Sequence, residues 1–446
     1  MLVRKISPWV LLALLVCPSA SSAQAITPVF ELQFDRDSAY PGSYTYDSFG
    51  DVAVDRLGNV AMRARGDLGS GILARINGEI VVIAETEQNA LIPDSRGILS
   101  PIRDVDDHVE IIDGKVVFKS RGVTNADSDR EEAVVLWKNR ELSVIYREND
   151  PPPLVPFDPS AFFSSVSDAE SFGYDGSRLA FSTFYRQGGV SFEGAFLAAN
   201  GDLTTLLLDN DSTAFGTITS VDDVMPDANG PGIVMDVVAG GDLYTLVYES
   251  GTFNAVLSEN DLMPGNRIAE GSSEPDIDAG RVVSSVSLKD GTEGIYLFDD
   301  GAVTEIIHST TVLPEGDVSA LYGSAVAIAG EFVAFNADVN GTARQYVWRN
   351  GVISHIAGPG MVIDGMVVSD VKRSNRPVLS DGYLAVVLEM DEGGGVLKDA
   401  VYRVDLLSPQ ERAAREAKAV STLSLTGLAM LVLLLLGAAR GHHRAR

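Results

Sequence analysis

A two-residue turn returns along this chain at a fixed interval. Asn200-Gly201, Ser250-Gly251, Asp300-Gly301 and Asn350-Gly351 place their glycines 50 residues apart three times in succession. An earlier copy stands at Asn77-Gly78, and a degenerate one at Asn139-Arg140. Self-similarity with a period of about 40–50 residues points to propellers or solenoids. It also outweighs length: 446 residues would allow two or three domains, but a closed ring of repeats is one.

The contents of the unit decide the architecture. From Ala325 to Ala357 the chain reads Ala-Val-Ala-Ile, the turn Ala329-Gly330, Phe332-Val-Ala-Phe335, a looser break at Asp338 to Gly341, Gln345-Tyr-Val-Trp348, the turn Asn350-Gly351, and Val352 to Ile356. These are four short β-rich runs whose first and third breaks are tight Gly turns, the signature of antiparallel hairpins. Four antiparallel strands make one propeller blade. The first turn recurs at Leu57-Gly58, Asp113-Gly114, Asp175-Gly176, Ala279-Gly280 and Asp381-Gly382. The strand after it is a continuous apolar run, such as Val116-Val-Phe118 or Leu384 to Val387, which suits strands covered on both faces. Tyr248, Phe298, Trp348 and Trp137 sit three residues before the second turn's glycine position, where a mid-blade aromatic packs between blades.

Seven units are counted, starting near Gly50, His108, Ser171, Asp222, Glu274, Ser324 and Arg376. In the fourth, the first turn is read at Asn229-Gly230 and the second strand at Ile233 to Met235. The expected fold is all-β: a seven-bladed β-propeller over residues 29–407, with six or eight blades if the fourth unit is misjudged. The last unit ends one strand short, and an open edge would template aggregation. The alternating segment Val29 to Phe34 is therefore expected to pair with Ala400 to Val404 and close the ring.

The termini change character. Residues 1–23 read as a secretory signal peptide, with Arg4 and Lys5, the apolar run Val10 to Val16, and Ser21-Ser22-Ala23 for cleavage. The only cysteine, Cys17, lies inside it, so the mature chain has no disulfide and no thiol nucleophile. Residues 408–419 are charged and Ala-rich and read as a helical or flexible linker. Leu423 to Ala439 is nearly all apolar, close to the shortest span of a bilayer, and Arg440, Arg444 and Arg446 follow it. The basic end places the C-terminus in the cytoplasm and the propeller outside.

Val420-Ser-Thr-Leu-Ser-Leu-Thr-Gly-Leu428, the apolar helix and the basic end together resemble a class of bacterial C-terminal sorting signals, in the version that begins Ile-Pro-Thr-Leu-Ser-Glu-Trp-Gly. Thr422, Leu423, Ser424 and Gly427 match; Ser421 replaces the proline, and Leu425-Thr426 replace Glu-Trp. The resemblance covers residues 420–446. It implies a Gram-negative exported protein held in the membrane by a transmembrane helix and handled by a sorting enzyme, with cutting and transfer to the surface as a further step open to such tails. The units also resemble tandem repeats of bacterial surface proteins with such tails, through Gly330-Glu-Phe-Val-Ala-Phe335 and Asn260-Asp-Leu-Met-Pro-Gly265. That resemblance implies no shared activity.

In a blade the two tight turns lie on one rim and the longer connections on the other, where binding groups are expected. That loop rim is acidic: Asp104 to Asp107, Asn125 to Glu132, Glu148-Asn-Asp150, Asp209-Asn-Asp211, Glu259-Asn-Asp261 and Asp391-Glu392. The formal charge is −28, and setting aside Arg4, Lys5, Arg440, Arg444 and Arg446 makes the outer part five units more negative. Such a field excludes nucleic acid and favours cations or basic surfaces, while also serving solubility.

Asn125, Asp127 and Asp129 are the candidate metal ligands, since oxygens at alternate positions can wrap a hard cation such as Ca2+. Arg130 and Leu136 stand where a calcium loop needs glycine and glutamate, so a solvated loop is the competing reading. His308 and His355 fall on outer strands as structural residues, and His108 begins an inner one. No nucleophile motif is present, and no catalytic or cofactor-binding residue is assigned.

The first functional expectation is a non-enzymatic surface or matrix propeller binding a protein partner, a glycan or cations through its acidic rim. The second is a polysaccharide hydrolase or lyase with carboxylates at the channel mouth, for which Glu110, Asp276 and Asp278 lie on innermost strands. A third is a spacer needing no ligand.

Overall fold

The computed structural model describes residues 25–41, 45–86, 91–93, 99–124, 130–154, 158, 160–164, 172–372 and 378–415. These form seven antiparallel sheets, one per predicted unit. The first strands of the blades are Tyr46–Val54, Leu99–Ile112, Phe172–Tyr174, Gly216–Pro226, Arg267–Asp278, Gly316–Ala329 and Val378–Ser380. Each touches the first strand of the next blade all the way round the ring, so these strands line the central channel. The seven-bladed propeller is therefore the fold, and the fourth unit is a true blade, with Ile233–Ala239 as its second strand.

Local chemistry sets each blade. Asn350 and Gly351 have φ of 49° and 90°, the two positive values a type I′ hairpin needs. At the degenerate copy Asn139 and Arg140 adopt 54° and 67°, so the same turn forms with an arginine where glycine is usual. The second strands are buried end to end between neighbouring blades, as at Phe332 to Ala337 and Leu384 to Leu388. Phe298 and Trp137 are core residues, and Tyr248 and Trp348 pack against the core, which accounts for the repeated aromatic.

The unit boundaries needed correction. The first strands begin well before His108, Asp222, Glu274 and Ser324, because those residues sit at β-bulges in mid-strand. Register shifts fall between Phe49 and Val52, Val105 and Val109, Asp222 and Met225, Ser273 and Asp276, and Leu321 and Val326. A bulge inserts unpaired residues and breaks the apolar run, so a strand reads as a loop followed by a shorter strand.

The ring closes where the sequence placed the closure. Val29–Asp35 pairs antiparallel with Leu397–Asp405, with Val29 opposite Asp405 and Phe34 opposite Val401. Behind it Lys398, itself buried, meets Asp35 at 3.3 Å, Asp37 at 3.2 Å and Glu392 at 2.6 Å.

Tight turns of adjacent blades are clamped together. The Asp55 carboxylate accepts the Gly114 N–H at 2.9 Å, and Asp227 accepts those of Ala279 and Gly280 at 2.9 and 2.7 Å. Arg178 donates to the Asp227, Gly230 and Pro231 carbonyls, Arg281 to Gly330, and Arg403 to Gly58. A basic residue opens the second strand in blades 2, 3 and 5, as Lys115, Arg178 and Arg281. Blade 6 has Glu331 there instead.

Glu331 makes sense through the chain's end. Residues 409–415 form a helix begun by a capping box: Ser408 Oγ accepts the Glu411 N–H at 3.3 Å, and Glu411 Oε2 accepts the Ser408 N–H at 2.9 Å. Arg415 bridges Glu331 at 3.0 Å and Asp381 at 2.5 Å, Arg349 reaches Glu411 at 2.7 Å, and Arg412 lies 3.8 Å over the Tyr383 ring while pairing with Asp405. The start of the expected linker is thus a strap across the tight turns of blades 6 and 7. Single exposed ion pairs are worth at most about 1 kcal/mol, but these act together. Glu331→Arg is expected to release the strap, raising amide exchange across residues 409–415 about tenfold or more, with a modest fall in Tm. Unchanged exchange would show that the strap holds without this charge.

Candidate functional site

The loop rim is assembled from one repeated crossover. Where an outer strand ends, an asparagine takes positive φ: Asn149 and Asn210 at 69°, Asn260 at 73°. The aspartate after it turns back to accept a backbone N–H: Asp150 from Arg147 at 3.0 Å, Asp211 from Leu208 at 2.9 Å, Asp261 from Ser258 at 2.8 Å. Thr311 repeats the bond to His308 in blade 5. Much of the acidity expected to face a ligand is therefore turn chemistry.

At the later crossovers a two-residue strand pairs with the segment that enters the next blade: Leu262–Met263 with Arg267 and Ile268, Val312–Leu313 with Gly316 and Asp317, and Val362–Ile363 with Met366 and Val367. Alternation buries the second residue of each pair and exposes the first. The exposed residues are Leu262 (70%), Val312 (72%) and Val362 (67%), spaced by 50 residues on consecutive crossovers. Ile268 and Val367 beside them are also exposed, and exposed carboxylates flank them: Asp261 and Glu270, Asp317, Asp364 and Asp370. The result is an aliphatic arc edged with negative charge. A cavity of about 480 Å3 lined by Asp370 and Lys372 opens on the same rim between blades 6 and 7.

Inside the ring, the bulges carry Asp51, Asp106, Asp222, Asp223 and Glu274 into the channel wall. Asp223 and Glu274 have φ of 52° and 46°, and the Glu274 N–H donates to Asp223 at 3.0 Å. Behind them Asp236 is almost wholly buried. Its Oδ1 accepts Thr245 Oγ1 at 2.8 Å and Ser272 Oγ at 2.9 Å, while Oδ2 has no hydrogen-bond partner. Burial above all, and then the charge of Asp223, push its pKa up to about 7 against the pull of the two hydroxyls. Burial and Asp222 also raise Glu193 in the neighbouring blade.

The residues singled out from sequence separate clearly. Asn125, Asp127 and Asp129 lie outside the described residues. Among the described residues no group of three or more carboxylate or histidine side chains is arranged to hold a metal ion. Asp276 accepts the Ile328 N–H at 2.8 Å and Asp278 the Gly330 N–H at 2.6 Å, so both tie blade 5 to blade 6. Glu110 lies 3.6 Å from His108, whose ring rests 4.0 Å from that of Phe172. His308 is buried between Thr292 and Thr310, and His355 lies 3.5 Å from Glu315; burial lowers the pKa of both. Sequence reading missed Asp236, hidden in an apolar run, and the arc, although its period of 50 was present in Leu262, Val312 and Val362.

No helix among the described residues is long and apolar enough to cross a membrane, and residues 1–23 and 420–446 lie outside them. No family model matches the chain, and no curated protein does. Among solved structures the chain is similar to the β-propeller domain of the Trilobed protease from Pyrococcus furiosus, at 10% identity over 70% of this chain and 98% of that one, with a TM-score of 0.38. It is also similar to the extracellular domain of a hybrid two-component system protein from B. thetaiotaomicron, at 11% identity over 83% of this chain but only 40% of that one, with a TM-score of 0.37. Prolyl oligopeptidase B from Galerina marginata matches at 8% identity over 82% of this chain and 52% of that one, with a TM-score of 0.42.

Proposed function

We propose that this chain is an exported, membrane-tethered propeller without catalytic activity that binds a partner through its loop rim. The observation that carries this reading is the exposed arc of Leu262, Val312 and Val362, edged by carboxylates, on the rim opposite the C-terminal strap. Contiguous exposed apolar surface rimmed by polar groups marks interaction sites, and Leu262 lies opposite exposed Ile268 and Val362 opposite exposed Val367. The flanking acids select a partner with basic groups around an apolar strip, and they steer its approach. A protein or a cationic glycan surface meets that description. Residues 1–23 would direct export and residues 420–446 would hold the chain in the membrane, as substrate for a sorting enzyme. With the strap on the tight-turn rim, the loop rim would then face away from the membrane.

Two measurements test this. The mature chain would have no native thiol, so single cysteines bearing a photo-crosslinker can be placed at Val312 and at Asn350 on the two rims. Adducts on intact cells are expected from Val312→Cys and not from Asn350→Cys; equal adducts from both, or none from Val312→Cys, would overturn the binding face. The full chain is expected to sediment with membranes and a chain ending at residue 419 to remain in the supernatant. Equal sedimentation would remove the tether.

A further inference from the structure

We propose a second binding site, independent of the loop rim: a groove between blades 2 and 3 on the tight-turn rim that takes a small organic anion with an apolar body. The groove has a volume of about 560 Å3, within the usual range of small-molecule sites. Leu136, Ile145, Leu179 and Leu203 form its apolar walls, and Lys115 and Lys138 are its cations. Asp202 is the one carboxylate of the lining. Two ammonium groups against one carboxylate give a local positive excess, against the sign of a chain whose formal charge is −28. Among the described residues neither ammonium takes part in an ion pair.

The clamp explains why this cleft stands open. At the junctions of blades 3 with 4, 5 with 6 and 7 with 1, an arginine guanidinium reaches across to a turn carbonyl of the next blade. At blades 2 and 3 the clamp is Lys115, whose slender ammonium donates once, to the Gly176 carbonyl at 2.6 Å. Lysine holds the turn with one point charge and leaves the space that a guanidinium would occupy. Its remaining N–H donors and those of Lys138 can take a carboxylate while the apolar walls take its hydrocarbon.

The test titrates 4-phenylbutyrate into the mature full-length chain in lipid nanodiscs, by calorimetry. Partition into lipid is common to all variants, so the site is read from the saturable difference between them. Saturable binding is expected for wild type and about fivefold weaker binding for Lys138→Gln, an exposed position that bears on no clamp. Asp202→Asn is expected to bind more tightly. Ser143→Trp, which fills the groove from an exposed lining position, is expected to abolish the saturable component, and the neutral 4-phenylbutanol to bind wild type and Lys138→Gln alike. No saturable component in wild type, or one unchanged in both Lys138→Gln and Ser143→Trp, overturns the proposal.

Discussion

Phe34→Ala will lower the unfolding free energy by about 3–5 kcal/mol, near the top of the range for a buried aromatic. Phe34 is fully buried, and it packs with Tyr46, Phe49, Ala385 and Val401 across the seam between the first and last blades. Arg75 lies 5.6 Å over its ring and donates to the Gln33 carbonyl at 2.6 Å, so the same side chain positions the closing strand. The closing strand pairs residues far apart in sequence, and its loss exposes the Leu397–Asp405 edge. Val29→Ala, on the exposed end of the same strand, should change stability by less than about 0.5 kcal/mol. Urea midpoints for the two variants separate a seam from an ornamental strand. Removing residues 25–37 should go further and give soluble oligomers by light scattering. If Phe34→Ala costs no more than Val29→Ala, the closure is not what holds the ring.

Asp236→Asn will stabilise the protein at pH 8 and do little at pH 4. The carboxyl titrates near 7 when folded, against an ordinary value of 3.8. The folded state thus retains a proton that the unfolded chain gives up. The favourable contribution is complete below the ordinary value, declines as pH rises, and is gone above about 7. A shift of roughly three pH units corresponds to a penalty on the order of 4 kcal/mol in alkaline solution. An asparagine can still accept the Thr245 and Ser272 hydroxyls, and it offers an N–H toward the Asp223 charge. The variant should therefore flatten the decline in stability between pH 4 and pH 8. Denaturant unfolding at both pH values checks this, and equal destabilisation at both would show that Asp236 acts only as a hydrogen-bond acceptor.

The legibility of the site was uneven for a definite reason. Asp150, Asp211 and Asp261 looked like ligand-facing acids, yet each caps its own crossover turn. Asp276 and Asp278 looked like channel acids, yet each accepts a backbone N–H some 52 residues away. A carboxylate in a turn and one facing a ligand are written with the same letter, and only the positions of neighbouring N–H groups tell them apart. Asp236 was invisible because a single acid among valines carries no periodic signal.

Read alone, the chain determined the kind of unit, the number of units and the strand that seals them, because turn geometry and strand pairing are short-range rules repeated often enough to be seen. Tertiary structure decided which rim the helix at 409–415 covers, since it docks through Glu331, Arg349 and Asp381, residues scattered over about 50 positions. It also decided where the first strands begin and which cleft stays open, as bulges and clamps arise between blades, where pairing depends on distance in space.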